Sequence, residues 1–205
     1  RAAEKIGKGS EKFALHVKGL ETPAYDPRAG QGMGLAYARS DRGACHLRPW
    51  TAGAEMLLQD ALDPRATEGK AELVRSDTDK VNVLFNSSGL CLFLPVDSDD
   101  IFHLITSATG FQYKDVNELL KIGERISNLV RAFNVREGFT KNDDTLPNRL
   151  LKEPLPSGPC RGEVVKLEPM LEEYYKLRGW DDEGRPTREK LRALGLDFAA
   201  AKLYG

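Results

Sequence analysis

The stretch from Asp115 to Val135 does most to fix the fold class. Val116, Leu119, Leu120, Ile126, Val130 and Phe133 recur at intervals of three and four. That spacing puts them on one face of an α-helix. Asp115 stands at the N-cap position. Gly123 lies on the apolar face and permits close packing against another helix. Other segments read the same way. Leu167–Leu177 forms an amphipathic helix stopped at Gly179. Thr187 caps a last helix, Arg188–Leu194, before a tail at 199–205. Asp97-Ser98-Asp99-Asp100 precedes Ile101-Phe102-His103-Leu104-Ile105. The carboxylates read as a helix N-terminus, where they offset the dipole; a divalent-metal site is the lesser alternative. His103 falls among the apolar residues and reads as core. Lys70–Arg75 precedes a helix that starts at Ser76 or Asp77 and runs toward Phe85, with Val81, Leu84 and Phe85 on one face. Shorter helices are expected at Leu35–Arg39 and Ala52–Leu58, the second with Thr51 as N-cap. The expected fold is mostly α: an irregular multi-helical domain with long functional loops.

Composition bounds the function classes. The chain is 40% hydrophobic over 205 residues, enough for one domain or one and a piece. A formal charge of −1 gives no case for nucleic acid or an anionic membrane as partner. No apolar run reaches the length of a membrane span. Cys45, Cys91 and Cys160 are odd in number and widely spaced, which argues against a disulfide framework and for a reducing cytoplasm. The chain opens Arg1-Ala2-Ala3-Glu4-Lys5 in helical composition without an initiator methionine. It therefore reads as part of something longer, with residues 1–18 the end of a preceding helical domain and 19–205 a C-terminal helical domain.

Two stretches carry chemistry. In Leu84-Phe85-Asn86-Ser87-Ser88-Gly89-Leu90-Cys91-Leu92-Phe93, a small polar turn divides two apolar runs and a thiol closes it. Gly89 lets the backbone bend or approach a ligand closely. Asn86, Ser87 and Ser88 offer hydrogen-bonding groups that a plain core would not want. The alternative is a turn between core elements, with Cys91 as a small hydrophobe in a dry environment. Upstream, Pro23–Gly34 has the prolines and glycines of a long loop. It leads to Arg42-Gly43-Ala44-Cys45-His46. There small residues leave room beside an imidazole, and Arg39, Arg42 and Arg48 favour an anionic ligand. A satisfied structural histidine is the competing reading.

Pro-Ala-Tyr-Asp-Pro-Arg (23–28), Gly-Met-Gly-Leu-Ala-Tyr-Ala (32–38), Arg-Gly-Ala-Cys-His (42–46) and Asn-Ser-Ser-Gly-Leu-Cys (86–91) resemble, in order and spacing, the C-terminal domain of the aldehyde ferredoxin oxidoreductases. These are tungsten or molybdenum enzymes with a bis-pterin cofactor and a [4Fe–4S] cluster. The resemblance implies oxidation of an aldehyde to a carboxylic acid, with two electrons passed to ferredoxin. It implies that His46 is catalytic, giving a hydrogen bond to the substrate carbonyl or relaying a proton. It implies that Asn86, Gly89, Leu90 and Arg48 bind pterin, and that Cys91 is the last of four cluster ligands. Asn86 replaces the family's usual Asp. The amide can both donate and accept, but it supplies no negative charge. The family's other three cysteines, Cys-x-x-Cys-x-x-x-Cys, lie upstream and are not in this sequence. Tungsten, pterin and cluster would therefore need upstream domains of the same enzyme as partners, and these residues alone would be inactive. A homodimer is compatible with the resemblance. The other open classes are a non-catalytic helical interaction module and a sibling enzyme acting on an aromatic thioester or sugar phosphate.

Overall fold

The structure, a computed structural model, describes residues 1–57 and 62–205. It is mostly helical. The elements are α1 (Ala2–Ile6), a hairpin of β1 (His16–Val17) and β2 (Leu20–Glu21), α2 (Gln31–Arg39), α3 (Lys70–Lys80), α4 (Ser98–Thr109), α5 (Val116–Arg136), α6 (Asn148–Lys152), α7 (Leu167–Arg178), α8 (Arg188–Ala193) and α9 (Asp197–Tyr204). The hairpin is antiparallel, with Val17 opposite Leu20.

Helix α3 is central and packs against α2, α5 and α7. Its contact with α5 depends on Gly123, where a Cβ would lie 2.1 Å from the Asp79 carbonyl oxygen. Its contact with α7 is polar at heart. Arg178, fully buried, donates to both oxygens of Asp79 at 2.7 and 2.8 Å and to the Tyr174 hydroxyl at 2.9 Å. Met33, Leu35, Tyr37, Val74, Met170, Leu171 and Tyr174 form the main core. Val83, Leu84, Phe85, Ile101 and Leu119 form a second cluster between α4, α5 and the end of the α3 segment. Asp144 anchors the chain around α5: it takes Lys18 Nζ at 2.9 Å, Arg131 at 2.7 and 3.0 Å, and the Tyr175 hydroxyl at 2.6 Å.

Several boundaries differ from the sequence reading. Helix α2 begins at Gln31, inside the glycine-rich stretch expected to be loop. Gly32 and Gly34 serve close approach there, since a Cβ would lie 2.8 Å from Glu55 Oε2 and 2.6 Å from Val165, respectively. Helix α3 begins at Lys70, six or seven residues before the expected start, because buried Lys70 and Ala71 pack inward from its first turn. Beyond it, Val81–Asn86 continues as a π-helix. The expected helix at 52–58 is a π-turn over Gly53–Leu57, with Leu58 outside the described residues. His103 is exposed rather than core, because α4 turns Ile101 inward and carries His103 round to the solvent side. Phe133 is likewise exposed, whereas Arg131 on the same helix is buried against Asp144. The tail at 197–204 is helical. The caps at Asp97, Asp115 and Thr187 are present as expected, each side chain accepting backbone N–H groups of its helix.

Candidate functional site

The loop after α2 is held by its arginines. Arg48 Nη1 meets Asp41 at 2.7 Å, Arg39 Nη2 donates to the Arg48 carbonyl at 2.8 Å, and Arg42 Nη2 lies 2.8 Å from Cys45 Sγ. The three cations that flank His46 in sequence are thus turned to other partners. Gly43 has φ +105, and a Cβ there would lie 2.3 Å from the Val17 carbonyl oxygen, so only glycine fits. This close approach to the hairpin sets the path of the loop. His46 is half-buried, its ring 5.6 Å from that of Tyr25. The Arg48–Pro49 peptide is cis. Trp50 then lies edge-on to Phe93, with ring centroids 6.2 Å apart, and so joins this loop to the one that follows the Asn86–Cys91 turn.

The turn itself grows from a buried helix end. Val81–Phe85 are buried, whereas Asn86, Ser87, Ser88, Gly89 and Cys91 are exposed. Gly89 adopts φ +75 with nothing within 4 Å of a Cβ position, so it serves the turn's conformation and leaves its open side free. Ser87 and Ser88 do not face a ligand. Their hydroxyls donate to the carbonyls of Asn82 and Leu84, closing the helix C-terminus. Cys91 is exposed, not in the dry environment expected of it. It is the exposed thiol among three free cysteines, Cys45 and Cys160 being buried.

The structure brings some predicted residues together and leaves others apart. Arg48 shares a cleft with Asn82, Ser127 and Asn134, and Asn82 in turn holds Asn86. Among the described residues, no hydrogen bond or ring contact joins His46 to Asn86 or Cys91. Tyr25, Trp50 and Asn82 were missed. Asn82 left a signal, a lone amide within the apolar run Val81–Phe85. Tyr25 lay inside the motif at 23–28, and Trp50 gave no signal beyond being aromatic.

The residues present fit one wall of a cofactor site. The Tyr37 hydroxyl, Arg39 Nε, Ser40 Oγ and Trp50 Nε1 are buried without a hydrogen-bond partner, all on α2 or the loop after it. Such groups are rare in a satisfied interior and mark where a polar group belongs. Burial, with Tyr25 and Cys45 nearby, holds the Tyr37 phenol well above its usual pKa, so it stays a donor. For a [4Fe–4S] cluster, the fit is that of a single ligand. Four thiolates are needed, Cys91 offers one, and no group of three or more His, Cys, Asp or Glu residues able to hold a metal occurs among the described residues. No helix among them is long and apolar enough to cross a membrane.

The chain matches part of several longer proteins. The tungsten-containing aldehyde ferredoxin oxidoreductase of Pyrococcus abyssi is 43% identical over 202 residues, covering 96% of this chain and 33% of that protein. The enzyme of the same name from Pyrococcus furiosus is 42% identical over 193 residues, covering 92% and 32%. An aliphatic sulfonate oxidoreductase, WOR-like subunit, from Pyrococcus furiosus is 30% identical over 214 residues, covering 97% and 31%. The chain thus spans about a third of the length of the curated relatives it matches. In fold it is similar to the active site complex BamBC of benzoyl coenzyme A reductase in complex with 1,5-dienoyl-CoA, with TM-score 0.70, 21% identity, and coverage of 98% of this chain and 36% of that one. The family model for aldehyde ferredoxin oxidoreductase, domains 2 and 3, matches residues 1–196, and the chain belongs to the aldehyde ferredoxin oxidoreductase family.

Proposed function

We propose that this chain forms one wall of the cofactor site of a longer tungsten-dependent enzyme that oxidises aldehydes to carboxylic acids in the cytoplasm. The observation that carries the reading is Cys91, an exposed thiol closing an exposed turn whose supporting segment, Val81–Phe85, is wholly buried. A rigid base beneath a solvent-facing ligand residue is what a cluster shared with another domain requires. In this reading, residues 1–18 end a preceding domain, and upstream domains supply the remaining thiolates and pterin contacts. Ferredoxin takes the two electrons through the [4Fe–4S] cluster, and the enzyme is free to form a homodimer.

The metal–pterin group supplies the two-electron redox chemistry when bound. This chain's own residues have narrower tasks. Asn86 and the backbone of Gly89 and Leu90 hold a pterin edge. Arg48 adds a contact through the guanidinium N–H groups that its pairing with Asp41 leaves free. Cys91 contributes one thiolate to the cluster. His46, steadied by Tyr25, orients the aldehyde by donating to its carbonyl oxygen or relays a proton.

The test is elemental and pterin analysis of the full-length protein purified without oxygen. About one tungsten or molybdenum and about four irons per chain are expected. Cys91→Ala should lose the cluster's absorbance. His46→Ala should keep its tungsten and lose turnover on an aldehyde panel. A well-folded protein with neither metal nor iron would refute the reading, as would an intact cluster in Cys91→Ala.

A further inference from the structure

Beneath the turn runs a line of hydrogen bonds whose polarity is set at its buried end. Asp79 is paired through both carboxylate oxygens with the fully buried Arg178, at 2.7 and 2.8 Å. A carboxylate only accepts. Ser127 Oγ lies 2.7 Å from Asp79 Oδ1 and 3.0 Å from the Gly123 carbonyl oxygen. Both are acceptors, so whichever takes the single hydroxyl hydrogen, Ser127 can only accept from its next neighbour. That neighbour is Asn82, which must present its amide nitrogen, and Nδ2 lies 3.0 Å from Ser127 Oγ. Asn82 therefore turns its carbonyl oxygen the other way. Asn86 meets that oxygen and must in turn present its own nitrogen, with Nδ2 at 3.3 Å from Asn82 Oδ1. The amide of Asn86 is thereby oriented. Its nitrogen gives one of its two N–H groups inward, and among the described residues its Oδ1 takes no hydrogen bond.

We infer that Asn82 is a positioning residue for the cofactor. The line Arg178–Asp79–Ser127–Asn82 fixes the amide of Asn86 so that its acceptor oxygen, rather than its nitrogen, is turned to a donor-bearing ring edge of the bound pterin. The inference rests on the reading that Asn86 faces a pterin. It explains how an amide does the work of the carboxylate usual in the family's motif. A free amide presents either end, whereas an amide held from behind through its nitrogen turns its oxygen outward. Asn82 is buried while Asn86 is exposed. The orienting residue is thus anchored inside the protein and the presented atom is available.

The experiment is a double-mutant cycle on the full-length enzyme, using Asn82→Leu, Asn86→Leu and the pair. The readout is the rate at which pterin is released, followed by the fluorescence of the oxidised product, with a thermal melt of each variant to confirm folding. Losing one oriented hydrogen bond should speed release about tenfold in either single variant. The pair should release no faster than Asn86→Leu alone, because Asn82 acts only through Asn86. Release at the wild-type rate in Asn82→Leu would overturn the inference. So would an Asn82→Leu effect that adds in full to that of Asn86→Leu, since a merely structural role would persist without Asn86. Asn82→Ala makes the same comparison should the leucine variant fail to fold. Wild-type enzyme that yields no pterin at all would instead sink the proposed function, and this inference with it.

Discussion

Glu55 offers the sharpest test of how the site is supported. Its side chain is buried, and all its acceptor capacity is used. Oε1 accepts from the Gly32 N–H at 2.8 Å and from Lys70 Nζ at 2.8 Å. Oε2 accepts from the Met33 N–H at 2.9 Å and from the Thr51 hydroxyl at 2.9 Å. One carboxylate thus caps α2, ties down Thr51 in the loop that leads away from His46, and neutralises a buried lysine at the start of α3. Glu55→Gln preserves size but replaces one oxygen with an NH2 group facing two donors, and it removes the negative charge paired with buried Lys70 at 2.8 Å. Breaking a buried pair on one side costs about 3–5 kcal/mol, and the impaired helix cap adds about 1 kcal/mol. The expected loss is therefore about 4–6 kcal/mol, against a total of about 5–15 kcal/mol for an ordinary domain. Urea denaturation at neutral pH should show the midpoint collapse with little change in slope. Adding Lys70→Met should restore a substantial part of the loss, because no buried charge is then unpaired. A loss below about 1 kcal/mol for Glu55→Gln, or no recovery in the double variant, would refute the assignment of Glu55 as a fully desolvated hub.

Three further outcomes follow from particular contacts. Gly123→Ala should destabilise by about 1–3 kcal/mol or more in the same assay, because its Cβ would meet the Asp79 backbone, which cannot move without disturbing Arg178. In the chain without cofactor, iodoacetamide should label Cys91 well before Cys45 and Cys160, as read by peptide mass spectrometry; equal rates would contradict the burial pattern. Burial raises the Asp77 carboxyl above its ordinary pKa, with Lys80 opposing. The folded protein therefore binds that proton more tightly than the unfolded chain, a contribution that is complete below the unfolded value of 3.8 and lost as pH rises through the folded one. Asp77→Asn should accordingly raise the melting temperature near neutral pH, and the difference should close below about pH 4.

The helices were largely legible because their signals are local. The period through Val116–Phe133 and the caps at Asp97, Asp115 and Thr187 each act within a turn or two of chain, and the structure has them where the pattern puts them. The motif residues were also legible, since their order along the chain is itself the resemblance. Their surroundings were not. The glycines at 32 and 34 read as loop because glycine lowers helix propensity. They are helical because Glu55 and Val165, distant in sequence, need the space a side chain would fill. His103 looked like core because its neighbours are apolar, but only the direction in which α4 packs decides which side is buried.

What the sequence determined by itself is therefore the class of fold, the family, and the motif residues that we propose touch a cofactor. What tertiary structure alone decided is how those residues are held. Cys91 faces outward, the arginines beside His46 are spent on Asp41, Cys45 and the Arg48 carbonyl, and Asn86 is oriented from Asp79 through Ser127 and Asn82. The physical reason is range. Periodicity and capping are fixed by neighbours three or four residues away. The polarity of a buried hydrogen-bond line is fixed by a charge whose partner lies 99 residues further along the chain.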